Sequence, residues 1–311
     1  MTNVNIVFLL SIAIISIGYL IKRLKIIEEK DGNIIAKIIF NITLPAVILK
    51  ITSTLNFEFS LILLPIINIS FGIIMASIGL LLFRNEPKNI KGLMIMTVIG
   101  FNVAHFSFPL IDGIWGEEGM QYIALIDAGN AFTIFVLCYI ISSIFSPKNQ
   151  DEGKKVNLKY VAQRLIKSAP LMSYFIALTI NFSGIILPNF ITDLLDIFAR
   201  ANTALSLLLL GIFLNFKFER TEWMAIFKVL IIRYLIGLGV GLSLFFFLPS
   251  LHFSHLFRII VTISLILPIG LAVIPFSVEF EYNQRLVTIL VNLSIIISFT
   301  LMWILIIILD G

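Results

Sequence analysis

The chain has 311 residues, of which 59% are hydrophobic and only 13% charged, with 22 Lys and Arg against 18 Asp and Glu. A soluble domain carries about 25% charged residues and enough polar side chains to cover its surface. These values exclude a soluble fold and leave the class of polytopic membrane proteins. The single cysteine, Cys138, excludes an internal disulfide framework and a Cys-built metal cluster, and its apolar surroundings suit a small buried hydrophobe.

A crossing helix needs about 20 mostly apolar residues. In chain order the predicted spans are 4–21, 33–53, 59–83, 91–112 and 118–145, then 165–187, 190–215, 223–248, 255–276 and 283–309. The first has no basic region before it and no cleavage site after it, and Lys22, Arg23 and Lys25 follow, so it reads as a retained span. Glu86-Pro87-Lys88-Asn89 forms a turn before the fourth span. The polar stretch 146–160 is a cytoplasmic linker without the composition of a folded domain. It separates a first repeat, 1–145, from a second, 161–311. The expected fold is therefore all-α and polytopic, with five spans per half.

With the N-terminus placed outside, the cytoplasmic loops hold 17 of the 22 basic residues. The bias of cations to the inside predicts that both termini are extracellular. Lys37 and Arg233 fall inside spans near cytoplasmic ends and are expected to snorkel. The asymmetry accounts for the basic balance without a nucleic-acid partner, since no basic run is interleaved with aromatics.

An odd number of spans per half requires any structural repeat to be inverted. Asn41-Ile42-Thr43-Leu44-Pro45-Ala46 in the second span answers Asn202-Thr203-Ala204-Leu205-Ser206-Leu207 in the seventh. The fourth and ninth spans, in matching places, are both interrupted. One contains Gly100-Phe101-Asn102 through Phe108-Pro109, the other Leu267-Pro268-Ile269-Gly270 through Pro275. Proline removes a backbone donor, and unsatisfied backbone survives in a membrane only against protein or a water-filled cavity. Paired Gly/Pro-interrupted spans point to the substrate site of a secondary transporter. Half-helix N-termini there suit a carboxylate without any arginine. A plain packing kink is the structural alternative.

The runs Gly100-Phe101-Asn102 to Pro109-Leu110, Trp115-Gly116-Glu117-Glu118-Gly119, Asp127-Ala128-Gly129-Asn130 and Asn41 to Ala46 resemble the auxin efflux carrier family. The likeness spans nearly the whole chain and is strongest between residues 100 and 130. It implies ten helices in two inverted five-helix repeats, with a scaffold domain, a transport domain and crossing broken helices 4 and 9. That fold is shared with bile acid/sodium symporters and sodium/proton antiporters. The resemblance also implies export or exchange of organic anions, auxin in plants and dicarboxylates such as malate or malonate in some bacteria, and a homodimer through scaffold helices. Two departures are His105, where a small or apolar residue is usual, and the lack of an asparagine beside the second pair of prolines.

Asp127 is an ionisable residue within a span, which is costly unless functional or paired. It reads as a proton carrier, part of a sodium site, or a structural partner, with Asn130 on the same helical face. His105 suits a proton-linked step or an anion, or a structural role. Asn102 can bond a carboxylate or satisfy unwound backbone. Asn41 and Asn202 line a cavity or bridge helices. The expected site is thus Asn102, His105, Pro109, Pro268, Pro275, Asn41 and Asn202 for substrate, with Asp127 and Asn130 for H⁺ or Na⁺, and no other cofactor or metal. Glu117, Glu118, Glu279 and Glu281 read as solvated helix caps, and His252 with His255 as an incomplete metal pair. No phosphate loop, nucleophile elbow or zinc motif is present. The expected function is secondary transport of a small organic anion, with membrane lipid as surroundings. The alternatives are a sodium-coupled symporter of an amphipathic anion and an intramembrane enzyme using His105 and Asp127. High Ile, Asn and Lys usage suggests an AT-rich prokaryote and its cytoplasmic membrane.

Overall fold

The computed structural model describes residues 4–55, 58–149, 158–215 and 223–310. The linker residues 150–157, with Lys154 and Lys155, and the basic residues Lys217 and Arg220 lie outside the described residues. Among the described residues the chain is helical throughout, and the one β contact is an isolated antiparallel bridge between Phe101 and Ile269.

The helices are α1 (Val4–Arg23), α2 (Glu29–Ile38), α3 (Leu44–Ser53), α4 (Leu63–Leu82), α5 (Lys88–Ile99), α6 (Phe108–Phe132), α7 (Tyr139–Ile144), α8 (Leu158–Ile166) and α9 (Ala169–Phe182). They continue with α10 (Asn189–Phe213), α11 (Trp223–Phe247), α12 (His255–Ser264), α13 (Val273–Glu279) and α14 (Gln284–Asp310). Among the described residues seven helical runs are long and apolar enough to cross a membrane. They are Val4–Arg23, Glu29–Ser53, Ser60–Leu82, Val103–Ile144, Asn189–Phe213, Trp223–Phe247 and Gln284–Asp310.

Several predicted spans differ in detail. The Val103–Ile144 run has 42 residues, roughly 63 Å if straight, about twice the bilayer core. Gly116, at φ 56° and ψ −139°, divides it at the predicted boundary of the fourth and fifth spans. That backbone conformation is open to glycine and poor for residues with a side chain. Glu117 and Glu118 are exposed in the turn that follows. The sixth predicted span resolves into the end of α8 and the 14-residue α9, whose N-terminus is capped by the Ser168 hydroxyl and which is followed by Gly184 at positive φ.

The prolines act differently from expectation. Helix α5 stops at Ile99, well before Pro109, and Gly100 is extended. Pro109 instead follows a wide π-type turn, Val103–Ser107, as Pro45 follows the wide turn Ile39–Thr43. A proline N1 or N2 residue offers no N–H to the carbonyl one turn back, so the turn before it opens. The second interruption runs from Leu265 to Ala272 and holds Pro268, while Pro275 is exposed in the first turn of α13.

Backbone packing groups the described chain into two units, each drawing on both halves of the sequence. The first comprises Met1–Leu61, Ala104–Ala128 and Leu165–Leu214. Here α1 lies against α10 with Gly18 and Gly211 at the closest approach, the small-residue packing expected of membrane helices. Lys50 pairs with Asp196, and Arg200 with the same carboxylate at 2.9 Å. The Asn181 amide bonds the Ser53 and Leu55 carbonyls at 3.0 and 2.8 Å, tying α9 to the end of α3.

The second unit comprises Ile62–Val103, Gly129–Arg164 and Asn215–Gly311. It contains both interruptions. Tyr234 on α11 donates to the Ser294 carbonyl and lies within hydrogen-bond distance of the Ser298 hydroxyl, both at 2.7 Å; Ser298 Oγ donates to Ile266 O at 2.7 Å. Helices α11 and α14 are thereby fixed to the second interruption.

Candidate functional site

Within the second unit the two interruptions pass one another. Asn102 N donates to Pro268 O at 2.9 Å and Gly270 N to Gly100 O at 3.3 Å, flanking the Phe101–Ile269 bridge. Gly270 permits this approach, because a Cβ there would stand 3.1 Å from Phe101 O and 2.9 Å from the Ile134 side chain. Helices that stop inside apolar surroundings leave N–H and C=O groups needing partners, and here those partners can be named.

Asn130 holds the first interruption. Its Oδ1 accepts from Phe101 N at 3.0 Å and its Nδ2 donates to Phe101 O at 2.9 Å. Ser294 on α14 holds the second, its Oγ accepting from Ile269 N at 3.0 Å and donating to Val291 O at 2.7 Å. Each centre of the bridge is thus caught by one polar side chain.

The carbonyls are gathered by Arg233. Its Nη1 donates to Thr97 O and Val98 O at 3.2 and 3.0 Å. Its Nη2 donates to Gly100 O, Leu267 O and Pro268 O at 2.9, 2.8 and 3.1 Å. The guanidinium carbon lies 4.3 Å from the centre of the Phe101 ring, a cation–π arrangement. Helix C-termini carry negative partial charge, and this cation serves carbonyls of both interruptions at once.

Arg233 corrects two expectations. It does not snorkel: it is the eleventh residue of the 25-residue α11 and only 1% exposed. The crossing also has an arginine built into it, although half-helix dipoles alone were expected to suffice. The sequence signal was present, since an ionisable residue midway along an apolar span marks a functional position. Lys37 is exposed.

Asn102 is 4% exposed, and its Nδ2 has no hydrogen-bond partner among the described residues. Such an orphan is uncommon in a folded protein, and buried polar groups are normally satisfied. Asn68 on α4 also leaves Nδ2 unpartnered, while its Oδ1 lies 3.5 Å from the Thr133 hydroxyl. Sequence reading missed Asn68, Arg233 and Ser294.

The remaining predicted residues fall elsewhere. His105 is half-buried in the wide turn that begins immediately after Asn102. Pro109 is buried in the first turn of α6, Pro268 is buried in the crossing, and Pro275 is exposed downstream of it. In the first unit Asp127 is 8% exposed and accepts from the Tyr174 hydroxyl at 3.2 Å. Asn202 is buried and accepts from Thr43 Oγ1 at 2.9 Å. Asn41 is exposed and donates to Lys37 O of its own helix at 2.8 Å, so Thr43 is the residue that meets Asn202. The shared Asn-Thr text of the two spans thus does not translate into a contact between its asparagines.

Glu279, expected to be a free cap, accepts from Tyr139 Oη at 3.0 Å. His255 lies 2.7 Å from Leu309 O. Among the described residues no three His, Cys, Asp or Glu side chains gather around one point.

A family model described as membrane transport protein matches residues 3–307. An uncharacterized transporter of Methanothermobacter thermautotrophicus is 24% identical over 296 residues, covering 92% of each chain. A second uncharacterized transporter, from Methanocaldococcus jannaschii, is 26% identical over 222 residues, covering 68% of this chain and 69% of its own. Family and relatives alike are named as transporters rather than enzymes, in keeping with a multi-pass membrane protein. The chain belongs to the membrane transport protein family, the family of the auxin efflux carriers.

Proposed function

We propose that this chain is a secondary transporter of a small organic anion of the carboxylate class, working by alternating access of the elevator type. The observation that carries the reading is the buried, unpartnered Nδ2 of Asn102 at a crossing whose bonded charge, Arg233, is positive. A carboxylate accepts hydrogen bonds and seeks positive potential, so it would satisfy that donor. A cation would meet Arg233 instead.

Ten membrane helices in two inverted five-helix repeats account for the arrangement. In this reading α5 and the run after Val103 form the fourth helix, and α12 and α13 form the ninth. Asn130 on the fifth helix and Ser294 on the last are then equivalent, each bonding the centre of one interruption. Both termini lie outside the cell in this topology.

For the coupling ion, Asn130 is poorly placed as a sodium ligand, because both ends of its amide already serve Phe101. Asp127 with Tyr174 then remains as the proton-carrying position. The test is thermal stabilisation of the purified chain by mono- and dicarboxylates, including indole acetate and malonate, in sodium or potassium at two pH values. Stabilisation by a carboxylate that Asn102→Ala abolishes would support the reading. A chain shifted only by cations or neutral amphiphiles would overturn it.

A further inference from the structure

Arg233 is more completely buried than any function so far described requires. Its two terminal nitrogens face five backbone carbonyls, two from the last turn of α5, one from Gly100 and two from the second interruption. Its flat face lies over the Phe101 ring. No ion pair joins it to a carboxylate among the described residues. Carbonyl dipoles solvate the guanidinium without neutralising it, so the crossing keeps a net positive charge in a setting of low dielectric.

Pro268 O links this charge to the ligand donor. It accepts from Arg233 Nη2 at 3.1 Å and from Asn102 N at 2.9 Å. Phe101, whose ring lies by the guanidinium, has its peptide held by Asn130. The cation therefore both charges the crossing and fixes the backbone that carries Asn102. A bound metal ion could in principle gather carbonyls in this way, but here the guanidinium already occupies them.

Resting on the anion-transport reading above, we infer that Arg233 is the fixed internal counter-cation of the crossing, which sets the preference for a charged carboxylate and removes any need for a co-bound metal cation. It acts through the field it creates and through Asn102, as a positioning residue. Lysine would keep the charge, but its ammonium is compact and lacks the planar fork that spans several carbonyls.

The experiment is calorimetric titration of the full-length protein in detergent with indole acetate and with malonate, each compared with its uncharged amide. Wild type is expected to bind one of the carboxylates at least about 30-fold more tightly than its amide. Its affinity is expected to stay within about twofold when sodium is replaced by choline. In Arg233→Gln the preference should fall below about threefold, with the amide affected little. Arg233→Lys should retain most of the preference while melting at a lower temperature. A Gln variant that still prefers the carboxylate overturns the inference. So does a wild-type affinity that drops about tenfold or more without sodium. If the Gln variant does not fold, the Lys variant and the sodium series decide, and loss of preference in Lys overturns it. Absence of carboxylate binding by wild type would instead refute the transport reading on which the inference rests.

Discussion

Asn130 bonds both polar groups of Phe101, accepting from its N–H at 3.0 Å and donating to its carbonyl at 2.9 Å. An asparagine amide is the side chain suited to this task, offering one acceptor and one donor side by side. Phe101 is 1% exposed and in the middle of an interrupted helix, so neither group has water as an alternative. Asn130→Ala should leave a buried donor and a buried acceptor unpaired, at about 1–3 kcal/mol each. The expected result is a melting temperature lower by several degrees, with transport lost. Asn130→Asp keeps the acceptor for Phe101 N but sets a carboxylate against Phe101 O, and should be at least as damaging. Melting curves for both variants check this, and a wild-type curve for Asn130→Ala would contradict it.

Asn102 should behave in the opposite way. Its Nδ2 has no bond to lose, so Asn102→Ala should fold with a melting temperature equal to wild type or slightly higher. Ligand binding should suffer instead. A hydrogen bond to a charged group contributes about 1.5–3 kcal/mol, so affinity for the carboxylate should fall roughly 10- to 100-fold. Asn102→Asp should bind still less, since it turns a donor toward the ligand into a like charge. Titration alongside melting separates the two effects, and a destabilised Asn102→Ala with unchanged affinity would assign the residue to structure.

Composition and periodicity made the helical membrane architecture and both interruptions legible, because spans of about 20 apolar residues and matched Gly/Pro positions are local signals. Asn102 and Asn130 could be picked out because polar side chains stand out in apolar runs. What each one does could not be read. Among the described residues the Asn102 Nδ2 has no partner while both ends of the Asn130 amide are bonded to Phe101, a difference that exists only in the folded interruption. Arg233 was visible as a charge in a span, yet its proximity to the span edge in the linear text suggested escape to water. The partners that hold it inside come from α5 and the second interruption, more than 30 residues away in either direction. Proline was read as the cause of the first break, whereas the chain leaves the helix at Gly100 and Pro109 shapes the turn after it.

Gly270 offers a test of the crossing that leaves every polar side chain in place. Its absent Cβ would stand 3.1 Å from Phe101 O and 2.9 Å from Ile134 Cδ1. The isoleucine tip can shift, but the carbonyl is fixed by Asn130. Gly270→Ala should therefore lengthen the Gly270 N–Gly100 O bond and cost about 1–3 kcal/mol as overpacking does. Gly270→Val should prevent the interruptions from meeting and abolish transport. Cysteines placed at exposed loop positions and labelled after extraction would report whether the rest of the fold persists. Full activity in Gly270→Val would show that close approach of the interruptions is dispensable.

Asp127 tests the coupling half of the proposal. Its carboxylate is 8% exposed and accepts from Tyr174 Oη at 3.2 Å. Asp127→Asn retains an acceptor for that hydroxyl, so the fold should survive with a melting temperature within a few degrees of wild type. It removes the titratable proton, and transport should become insensitive to an imposed pH gradient or stop. Tyr174→Phe keeps the carboxylate but deletes a hydrogen bond to a charged group, about 1.5–3 kcal/mol. Losing that bond should lower the melting temperature by a few degrees while a response to the pH gradient persists. Uptake into proteoliposomes across a range of external pH reads both variants in one assay. If Asp127→Asn carried substrate with the wild-type response to the gradient, Asp127 would be a structural partner of Tyr174, and the driving force would have to be the membrane potential or another ion.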